Sequence, residues 1–394
     1  MKLLFASHHS ILDPSNGAAR SIRDILAILP GVGISCRAFT GAYLDTSNDK
    51  FVDVIRGCLE ARQIPYEEAP DPPSGGALLD FEERGVPGRV FLPSAPSKLL
   101  PDKLQGERFL RLACETMDTF RPDVLLTYGG SGIGRALIGA AKARRVPVVF
   151  RIANFAYRHR DLFDGLRVVV PSEYMAAHYA RTLSIEATAI PCPIDWSRLE
   201  LAAWEPRYLT FISPCPAKGG FWAARILVEL SRARPDIPIL IVEGRGDLRW
   251  FYRLASRLGD ASRLGAMRTT EDARAFYGIT RVLLMPSMHE PFGRVAQEAL
   301  ILKIPIVACR RGGLPEALRG AGTVLDIPPE YHERSTTVPS AEEVQPWIEA
   351  ILRLWDDPEA YAMERERCAQ AAVAYHPDTL AARYRAFFEG AARQ

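Results

Sequence analysis

Short apolar runs alternate with stretches of helical periodicity along most of the chain. The runs fall at 2–7, 35–40, 122–128, 146–151 and 167–171 in the first half, and at 207–213, 237–243, 281–286 and 304–309 in the second. Helical spacing of apolar side chains lies between them at about 18–29, 106–120, 132–144, 172–182, 219–233, 248–258, 270–278 and 293–302, and ends the chain at about 340–356, 358–374 and 378–391. Apolar strands that alternate with helices predict an α/β protein whose parallel sheets are covered on both faces.

The alternation breaks at two places. Residues 190–206 hold three prolines and little periodicity, which predicts a link between two α/β domains, at 1–193 and 194–375. Residues 63–104 are rich in proline and glycine and are long for a loop inside a compact domain. Loops of that length are usually functional or disordered, so we expect this segment to be a lid over an acceptor.

The composition narrows the class of protein. Of the 394 residues, 48% are hydrophobic and 24% are charged, and the formal net charge is +2, which gives no general attraction to nucleic acid or to an anionic membrane. The segment 142–160 is a local exception, because it holds six lysines and arginines and no acidic residue. Its pattern fits either a solvated surface or a wall that faces an acidic ligand.

The cysteines and the N-terminus favour a cytoplasmic protein. The seven cysteines are dispersed, with no C-x-x-C and no zinc-type spacing, which is typical of reduced thiols. The N-terminus becomes polar too early for a signal peptide, and no apolar window is long enough to predict a transmembrane helix.

Candidate chemistry follows the strands of the second half. After the apolar run at 281–286 the chain reads S-M-H-E-P-F-G-R-V-A-Q-E-A-L, which places Glu290 on a turn and Glu298 among apolar helix positions. Lys218 lies in S-P-C-P-A-K-G-G, where another strand leads into a helix. A cation at a helix start is disfavoured by the helix dipole, so Lys218 is either an ordinary solvated lysine or the partner of an anionic ligand such as a diphosphate.

Glycines also follow predicted strands. Gly312 and Gly313 either allow a ligand to approach the backbone or form a plain turn, and Asn16-Gly17 is a turn signal after the first strand. The run G-G-S-G-I-G at 129–134 fits a phosphate-binding turn or a tight βα turn. It lacks the G-x-G-x-x-G spacing of a dinucleotide site and the G-x-S-x-G of a nucleophile elbow. Because these residues all follow parallel strands, we expect two carboxyl edges that face each other across an interdomain cleft.

At this point the residues resemble a known family. E-P-F-G-R-V-A-Q-E-A-L matches the E-x7-E signature of retaining GT-B glycosyltransferases, especially glycosyltransferase family 4. The segments L-L-M-P-S, I-P-I-V-A-C-R-R-G-G-L-P-E, F-I-S-P-C-P-A-K-G-G and N-F-A-Y-R resemble that family in the same order. The resemblance implies a GT-B fold of two Rossmann-like domains, with the acceptor on the N-terminal side, the donor on the C-terminal side and a final helix, 376–394, packed back on the N-terminal domain.

The resemblance also implies a role for each matching position. Glu298 would accept hydrogen bonds from ribose hydroxyls, Glu290 would contact the transferred sugar, and Lys218 would neutralise the departing diphosphate. Gly17 would let the first domain approach that diphosphate. The other expected donor contacts are the amides of Phe292, Gly293, Arg294 and Val295, the base-packing Met267 and Arg268, and Ser213. No cofactor or metal is expected, only a UDP- or GDP-sugar as co-substrate.

The chain departs from the family in two respects. Many members carry an arginine shortly before the lysine, where this chain has Ser213, and many carry a histidine in the first domain near the reacting sugar. His8 and His9 are substitutes for that histidine or ordinary loop histidines. On the acceptor side we expect Gly130, Arg151 and Asn154.

The acceptor and two other classes of function stay open. The basic segment suggests an acidic acceptor, such as a phosphorylated lipid, a polysaccharide or nucleic acid, with peripheral association at a membrane in the first case. The alternatives are an NADP-dependent oxidoreductase that uses 129–134 and Arg151, and a catalytically idle binding protein on the GT-B scaffold.

Overall fold

The computed structural model describes residues 1–14, 16–44, 51–94, 103–244, 246–270 and 272–393. The chain divides into two compact units. Unit 1 consists of Met1–Pro171, Ala176–Pro193 and Pro377–Gln394, and unit 2 consists of Ser172–Met175 and Ile194–His376.

Each unit contains one β-sheet. The strands of the first sheet are β1 (Lys2–His9), β2 (Ser35–Tyr43), β3 (Tyr66–Asp71), β4 (Gly76–Glu83), β5 (Val86–Leu92), β6 (Val124–Thr127), β7 (Val148–Arg151), β8 (Arg167–Val170) and β9 (Ala187–Ala189). Those of the second are β10 (Tyr208–Ile212), β11 (Ile239–Val242), β12 (Leu264–Met267), β13 (Thr280–Met285), β14 (Ile306–Cys309) and β15 (Thr323–Leu325). The central strands are buried and apolar, with Leu3 to Ala6 fully inaccessible in β1, as expected for a sheet covered on both faces.

The helices follow the strands in the expected alternation. They are α1 (Gly17–Ile28), α2 (Phe51–Ala61), α3 (Lys103–Phe120), α4 (Gly132–Ala143), α5 (Glu173–Leu183), α6 (Gly220–Ala233), α7 (Leu248–Leu258), α8 (Arg274–Tyr277), α9 (Arg294–Ile301), α10 (Leu314–Leu318), α11 (Ala341–Asp356), α12 (Pro358–Ala372) and α13 (Pro377–Ala392). The helix α13 packs within unit 1, where Tyr384, Phe387 and Phe388 join the hydrophobic core. Among the described helices, none is long and apolar enough to cross a membrane.

The prediction of one long loop at 63–104 is wrong for most of its length. Residues 66–92 form β3, β4 and β5, in which β4 runs antiparallel to both neighbours while β5 runs parallel to β2. The sheet of unit 1 is therefore mixed, whereas the sheet of unit 2 is parallel throughout its described strands. Arg84 and Gly85 join β4 to β5 with positive φ angles of 54° and 74°, the conformation of a two-residue hairpin turn. The remainder of the predicted lid, 95–102, lies outside the described residues.

The order of the strands reverses once in each sheet. The order is β3-β4-β5-β2-β1-β6-β7-β8-β9 in unit 1 and β12-β11-β10-β13-β14-β15 in unit 2. In unit 1 the chain continues from β1 to β2 on one side of β1 and later returns to β6 on its other side. In unit 2 it likewise continues from β10 to β11 on one side of β10 and later returns to β13 on the other. Open α/β sheets bind ligands beyond the carboxyl ends of the strands at such a switch point. The loops after β1 and β6, and after β10 and β13, are thus the places to look for a site.

Candidate functional site

Lys218 and Glu290 meet at the switch point of unit 2. Lys218 Nζ donates to Glu290 Oε2 at 2.5 Å, and the side chains are 34% and 10% exposed. The turns that carry them are joined by a hydrogen bond from Met288 N to Ala217 O of 3.0 Å. Gly219, with φ of 75°, lies so close to Pro286 O that a Cβ atom would come within 1.9 Å of it. A glycine after Lys218 therefore lets the turn after β10 pack on the turn after β13.

Gly312 and Gly313 hold the turn that carries Glu290. Gly313 N donates to Glu290 O at 2.8 Å, and a Cβ atom on Gly312 would lie 2.3 Å from the same oxygen. A Cβ atom on Gly313 would lie 2.5 Å from Pro291 O. A side chain at either position would clash with this backbone, so glycines are required here. The close contact between the two backbone segments holds the turn that carries Glu290 in place.

Glu298 is a buried carboxylate with two partners. Its side chain is 8% exposed in α9, where it accepts a hydrogen bond from Tyr277 Oη at 2.8 Å and another from Arg294 Nε at 3.1 Å. Tyr277 is fully buried at the end of α8. A buried carboxylate is tolerated only with such partners, so this position among apolar residues is built to hold a negative charge.

The start of α9 lies next to Glu290. Gly293 is the N-cap residue, with φ of 113°, and it has no side chain to occupy the first amides of the helix. Phe292 is buried, while Arg294 and Val295 are half-buried in the first turn. Amides at a helix N-terminus attract negative charge, so the arrangement of these four residues suits an anionic ligand.

The remaining positions that are predicted to contact a donor lie at the ends of β10 and β12. Ser213 has an uncommon positive φ of 61°, and its amide donates to Val242 O at 2.9 Å. Met267 ends β12 half-buried, and its carbonyl accepts from Glu243 N at 2.9 Å. Arg268 follows it and is exposed. The contacts of these residues with a nucleotide stay a prediction.

The segment 327–333, between β15 and α11, is hydrogen-bonded to residues next to the turn that carries Glu290. Arg311 donates to the carbonyl oxygens of Ile327, Pro328 and Tyr331, at 2.9 Å for Ile327 and 2.6 Å for Pro328. His289 Nδ1 lies 2.6 Å from Glu333 Oε2. The residue before Glu290 is therefore tied to this segment, which limits the movement of the turn.

The glycine turn at the switch point of unit 1 is packed against histidines. Gly129 has φ of 97°, and a Cβ atom there would lie 3.1 Å from His9 Cδ2 and 3.4 Å from His8 Cε1. Its amide donates to Tyr157 Oη at 3.3 Å. Gly130 is exposed, and a Cβ atom there would lie 3.1 Å from Leu162 Cδ2 and 3.3 Å from Tyr157 Cε1. Packing therefore accounts for the first glycine of 129–134.

His8 is buried and uncharged. Ser131 Oγ lies 3.2 Å from the His8 imidazole at Nε2, and the His9 ring centroid lies 4.0 Å from that of His8. Burial, followed by the proximity of His9, lowers the pKa of His8 from 6.5 to about 3. The ring is therefore neutral throughout the physiological range of pH.

Gly17 has space around it. It is exposed at the start of α1, and a Cβ atom there would meet no atom within 4 Å. Asn16 caps the helix, since its Oδ1 accepts from Ala18 N at 2.7 Å. Neither packing nor a left-handed backbone requires a glycine here, so the space is open to a ligand.

Arg151 and Asn154 have partners within unit 1. Arg151 is 1% exposed, and it donates to Tyr384 Oη at 3.2 Å and to Cys192 Sγ at 2.7 Å. Asn154 is exposed, its Oδ1 accepts from Ala156 N, and its carbonyl accepts from Tyr179 Oη at 2.7 Å. Arg151 thus lies inside the packing between β7 and α13, and its role towards an acceptor stays a prediction.

Most of the basic segment 142–160 is engaged within the protein. Besides Arg151, three of its six cationic side chains have partners: Lys142 donates to Asp164 O at 2.6 Å, Arg144 donates to both carboxylate oxygens of Asp118, and Arg160 lies 4.0 Å from Asp164 Oδ1. These contacts favour the interpretation of the segment as ordinary surface over a wall for an acidic ligand.

Sequence reasoning missed two groups at the sites. Tyr277 lies in the helix predicted at about 270–278 and receives no role from the sequence, although a tyrosine before a strand could have been paired with the isolated carboxylate of Glu298. Ser131 was read only within the glycine turn, and its contact with His8 depends on the pairing of β1 with β6, across 123 residues of chain. Within the described residues, no three His, Cys, Asp or Glu side chains are grouped so as to hold a metal ion.

Known proteins resemble parts of this chain. Residues 206–357 match the model of a family described as Glycosyl transferases group 1. A D-inositol 3-phosphate glycosyltransferase of Streptomyces bingchenggensis is 34% identical over 112 residues, which are 27% of this chain and 25% of that protein. A GDP-mannose-dependent alpha-(1-6)-phosphatidylinositol monomannoside mannosyltransferase of Mycolicibacterium smegmatis is 35% identical over 122 residues, 28% of this chain and 32% of that protein. The match thus spans about a quarter to a third of the length of these curated relatives.

Solved structures establish the fold over the whole chain. A glycosyltransferase from Rickettsia africae superposes with a TM-score of 0.69 at 14% identity, covering 99% of this chain and 98% of that one. HepE of Anabaena, solved with UDP and glucose, superposes with a TM-score of 0.66 at 16% identity and covers 99% of both chains. The two α/β units have the GT-B fold that the sequence predicted.

Proposed function

We propose that this protein is a retaining glycosyltransferase that transfers a sugar from a nucleoside-diphosphate sugar to a hydroxyl-bearing acceptor. The observation that carries the proposal is the contact of Lys218 with Glu290 at the switch point of unit 2, on a turn that leads directly into the helix α9, which holds the buried Glu298. All three residues lie within 206–357, the segment that matches the glycosyl transferase model.

Each part of the donor has a counterpart in this arrangement. A ribose can donate its hydroxyls to Glu298, whose orientation Tyr277 maintains. A diphosphate can bind Lys218 and the amides at the start of α9, and the transferred sugar can donate to Glu290. A UDP- or GDP-sugar is the proposed donor, in keeping with the UDP bound to HepE and with the GDP-mannose named for the mycobacterial relative.

The proposed reaction exchanges two bonds on one face of the sugar. The bond from the anomeric carbon to the diphosphate oxygen breaks, and the acceptor oxygen forms a bond to the same carbon from the same side. The leaving phosphate oxygen takes the acceptor's proton. The protein positions the reactants and stabilises the charge of the leaving group, for which Lys218 is placed, so the proposed reaction requires no metal or other cofactor.

The structure gives little support to the NADP-dependent alternative. Arg151 is buried against Tyr384 and Cys192, which leaves no guanidinium for a 2′-phosphate at that strand end. Gly129 is occupied by the packing of His8 and His9. A binding protein without activity shares the donor geometry, so turnover must distinguish it from an enzyme.

A donor panel tests the proposal. Thermal shift with UDP-glucose, GDP-mannose, other UDP- and GDP-sugars and NADP should show stabilisation by one sugar nucleotide and none by NADP. The stabilising donor, labelled in its sugar, should then be hydrolysed or transferred. Stabilisation by NADP alone would contradict the proposal, and donor binding without any turnover would leave a binding protein. We also propose a cytoplasmic location, with peripheral association at a membrane if the acceptor is a lipid.

A further inference from the structure

Two polar side chains of unit 2 have no part in the donor contacts proposed above. Glu316 ends the segment R-R-G-G-L-P-E and lies in the first turn of α10, and Ser172 directly precedes α5. Ser172–Met175 group with unit 2, although the chain before and after them belongs to unit 1. The hydrogen bonds of this short segment within unit 2 explain the grouping.

Ser172 is hydrogen-bonded to the turn that carries Glu290. Ser172 is fully buried, and its Oγ donates to Pro291 O at 2.6 Å. The same Oγ accepts from Met175 N at 3.1 Å, as the side chain of a helix N-cap does, so the orientation of the hydroxyl is fixed. Pro291 directly follows Glu290, whose own carbonyl oxygen accepts from Gly313 N at 2.8 Å. Two successive carbonyl groups of the turn are therefore held by two different segments of the chain.

Glu316 binds the first amides of α5. Its Oε1 accepts from Glu173 N at 3.0 Å, and its Oε2 accepts from Tyr174 N at 3.2 Å. The first amides of a helix have no partner within the helix, and its dipole favours a negative charge beside them, so a carboxylate is well suited to this place. Glu316 lies three residues after Gly313. The segment that holds Glu290 directly therefore also holds the start of α5.

The helix α10, which carries Glu316, is itself anchored. Tyr375 is buried, and its Oη donates to Ala317 O at 2.6 Å, while its ring centroid lies 5.9 Å from that of Phe292. The hydrogen bonds thus form a closed ring of three segments, 290–291, 313–316 and 172–174. None of the three can shift without the loss of hydrogen bonds to the other two, so the position of the turn is tightly determined.

Resting on the proposed function, we propose that Ser172 is a positioning residue of the reaction. By holding Pro291 O it places the Glu290 carboxylate against the transferred sugar, and Glu316 in turn positions Ser172. The rate of a reaction is sensitive to such placement, since a displacement of about 1 Å can cost about 100-fold.

The binding of the nucleotide has separate support. Glu298 is held by Tyr277 and Arg294, and neither of these contacts involves Ser172 or Glu316. The role of Ser172 should therefore appear in kcat and not in the affinity for the donor.

Ser172→Ala tests this role with the sugar nucleotide that stabilises the wild type. The variant loses the hydrogen bond to Pro291 O, and we expect kcat for hydrolysis or transfer of the donor to fall about tenfold while the donor Kd, measured by calorimetry, stays unchanged. Ser340→Ala is the matched control, because Ser340 is the N-cap of α11 in the same unit and accepts from Glu343 N at 3.2 Å. It removes a helix cap of the same kind and should leave kcat unchanged. An unchanged kcat in Ser172→Ala, or an effect on the donor Kd, would overturn the proposal.

A double-mutant cycle with Glu290→Gln distinguishes positioning from general stability. If Ser172 acts through Glu290, Ser172→Ala should reduce turnover much less once the carboxylate has been removed. An equal loss in the wild-type and Glu290→Gln backgrounds would show that Ser172 acts independently of Glu290, and the proposal would be wrong. Glu316→Ala, measured in the same two backgrounds with the same expectation, takes the place of Ser172→Ala should that variant fail to fold. A wild type that binds the donor without any turnover would instead refute the proposed function, and this role with it.

Discussion

Lys218 Nζ lies 2.5 Å from Glu290 Oε2, so each of these two proposed catalytic side chains is the counter-ion of the other. The Glu290 side chain is only 10% exposed, and a hydrogen bond from Gly313 N to Glu290 O holds its turn in place. A diphosphate that binds Lys218 must therefore compete with a carboxylate that is already in place. The same carboxylate becomes available to the sugar when the lysine turns to the phosphate.

Glu290→Gln should separate binding from turnover. The substitution removes the negative charge beside Lys218, so we expect UDP or GDP to bind about tenfold more tightly, measured by calorimetry. Transfer of sugar should fall, because the amide cannot accept hydrogen bonds from the sugar as a carboxylate does. Lys218→Met is the complementary variant and should weaken the binding of either diphosphate. Weaker diphosphate binding in Glu290→Gln would show that Glu290 supports the diphosphate instead of competing with it.

Tyr277→Phe should weaken donor binding, although Tyr277 itself acts only through Glu298 and is not expected to contact the donor. Tyr277 Oη donates to Glu298 Oε2 at 2.8 Å, and its loss leaves a buried carboxylate oxygen without that partner. We expect the donor KM to rise about tenfold with kcat changed much less. Tyr252→Phe is a suitable control, since that hydroxyl donates to the backbone oxygen of Leu264 at the edge of the same sheet. Equal effects of the two substitutions would mean that Tyr277 acts only through stability.

His8 should make unit 1 labile to acid. Its pKa is lowered from 6.5 to about 3, so the unfolded chain binds a proton in this range of pH and the folded protein does not. The contribution is therefore favourable above pH 6.5, and the free energy of unfolding falls by about 1.4 kcal/mol for each pH unit between 6.5 and 3.

Hydrogen exchange of the β1 amides measures this effect in unit 1. Tryptophan fluorescence does not, because all six tryptophans follow residue 193 and belong to unit 2. His8→Gln should flatten the dependence on pH, while His159→Gln, in an exposed position, should leave it unchanged. A wild-type protein whose β1 protection is flat between pH 6 and pH 4 would contradict the neutral, buried state of His8.

Arg151 should act on stability. It is buried beside Tyr384, whose hydroxyl accepts from Arg151 and donates to the carbonyl oxygens of Ile190 and Pro191. We expect Tyr384→Phe to destabilise unit 1 by about 1–3 kcal/mol, because it leaves buried polar groups without a partner. Donor binding in unit 2 should be unchanged, as measured by calorimetry below the unfolding temperature. Full stability with impaired acceptor use would place Arg151 in the acceptor site after all.

The elements that the sequence predicted well are those with a strong local signal. The runs at 2–7 and 281–286 are apolar at 3–6 and 282–285, and they form the central strands β1 and β13. The segment 63–104 was misread because its prolines and glycines conceal the alternation in β4 and β5. There Arg84 and Gly85, both with positive φ angles, form a hairpin turn. Their sequence does not differ from that of an ordinary loop.

The residues of the proposed donor site could also be predicted from the sequence, whereas the contacts that hold them in place could not. Glu290, Glu298 and Lys218 follow strands, so a parallel sheet brings them to one edge. Their partners depend on contacts that no local pattern records. Gly313 meets Glu290 through backbone atoms alone, and Ser131 reaches His8 only because β6 pairs with β1. The glycines that were expected to admit a ligand proved in part to admit other segments of the protein.

Calorimetric titration of a sugar nucleotide into the wild type and into Glu298→Ala tests the central claim most directly. The account predicts that one UDP- or GDP-sugar binds the wild type, and that the variant, folded by the same thermal criterion, loses at least tenfold in affinity because the ribose hydroxyls have lost their acceptor. NADP should bind neither protein. Equal affinity of the donor for both proteins would contradict the assignment of this edge of unit 2 as the donor site.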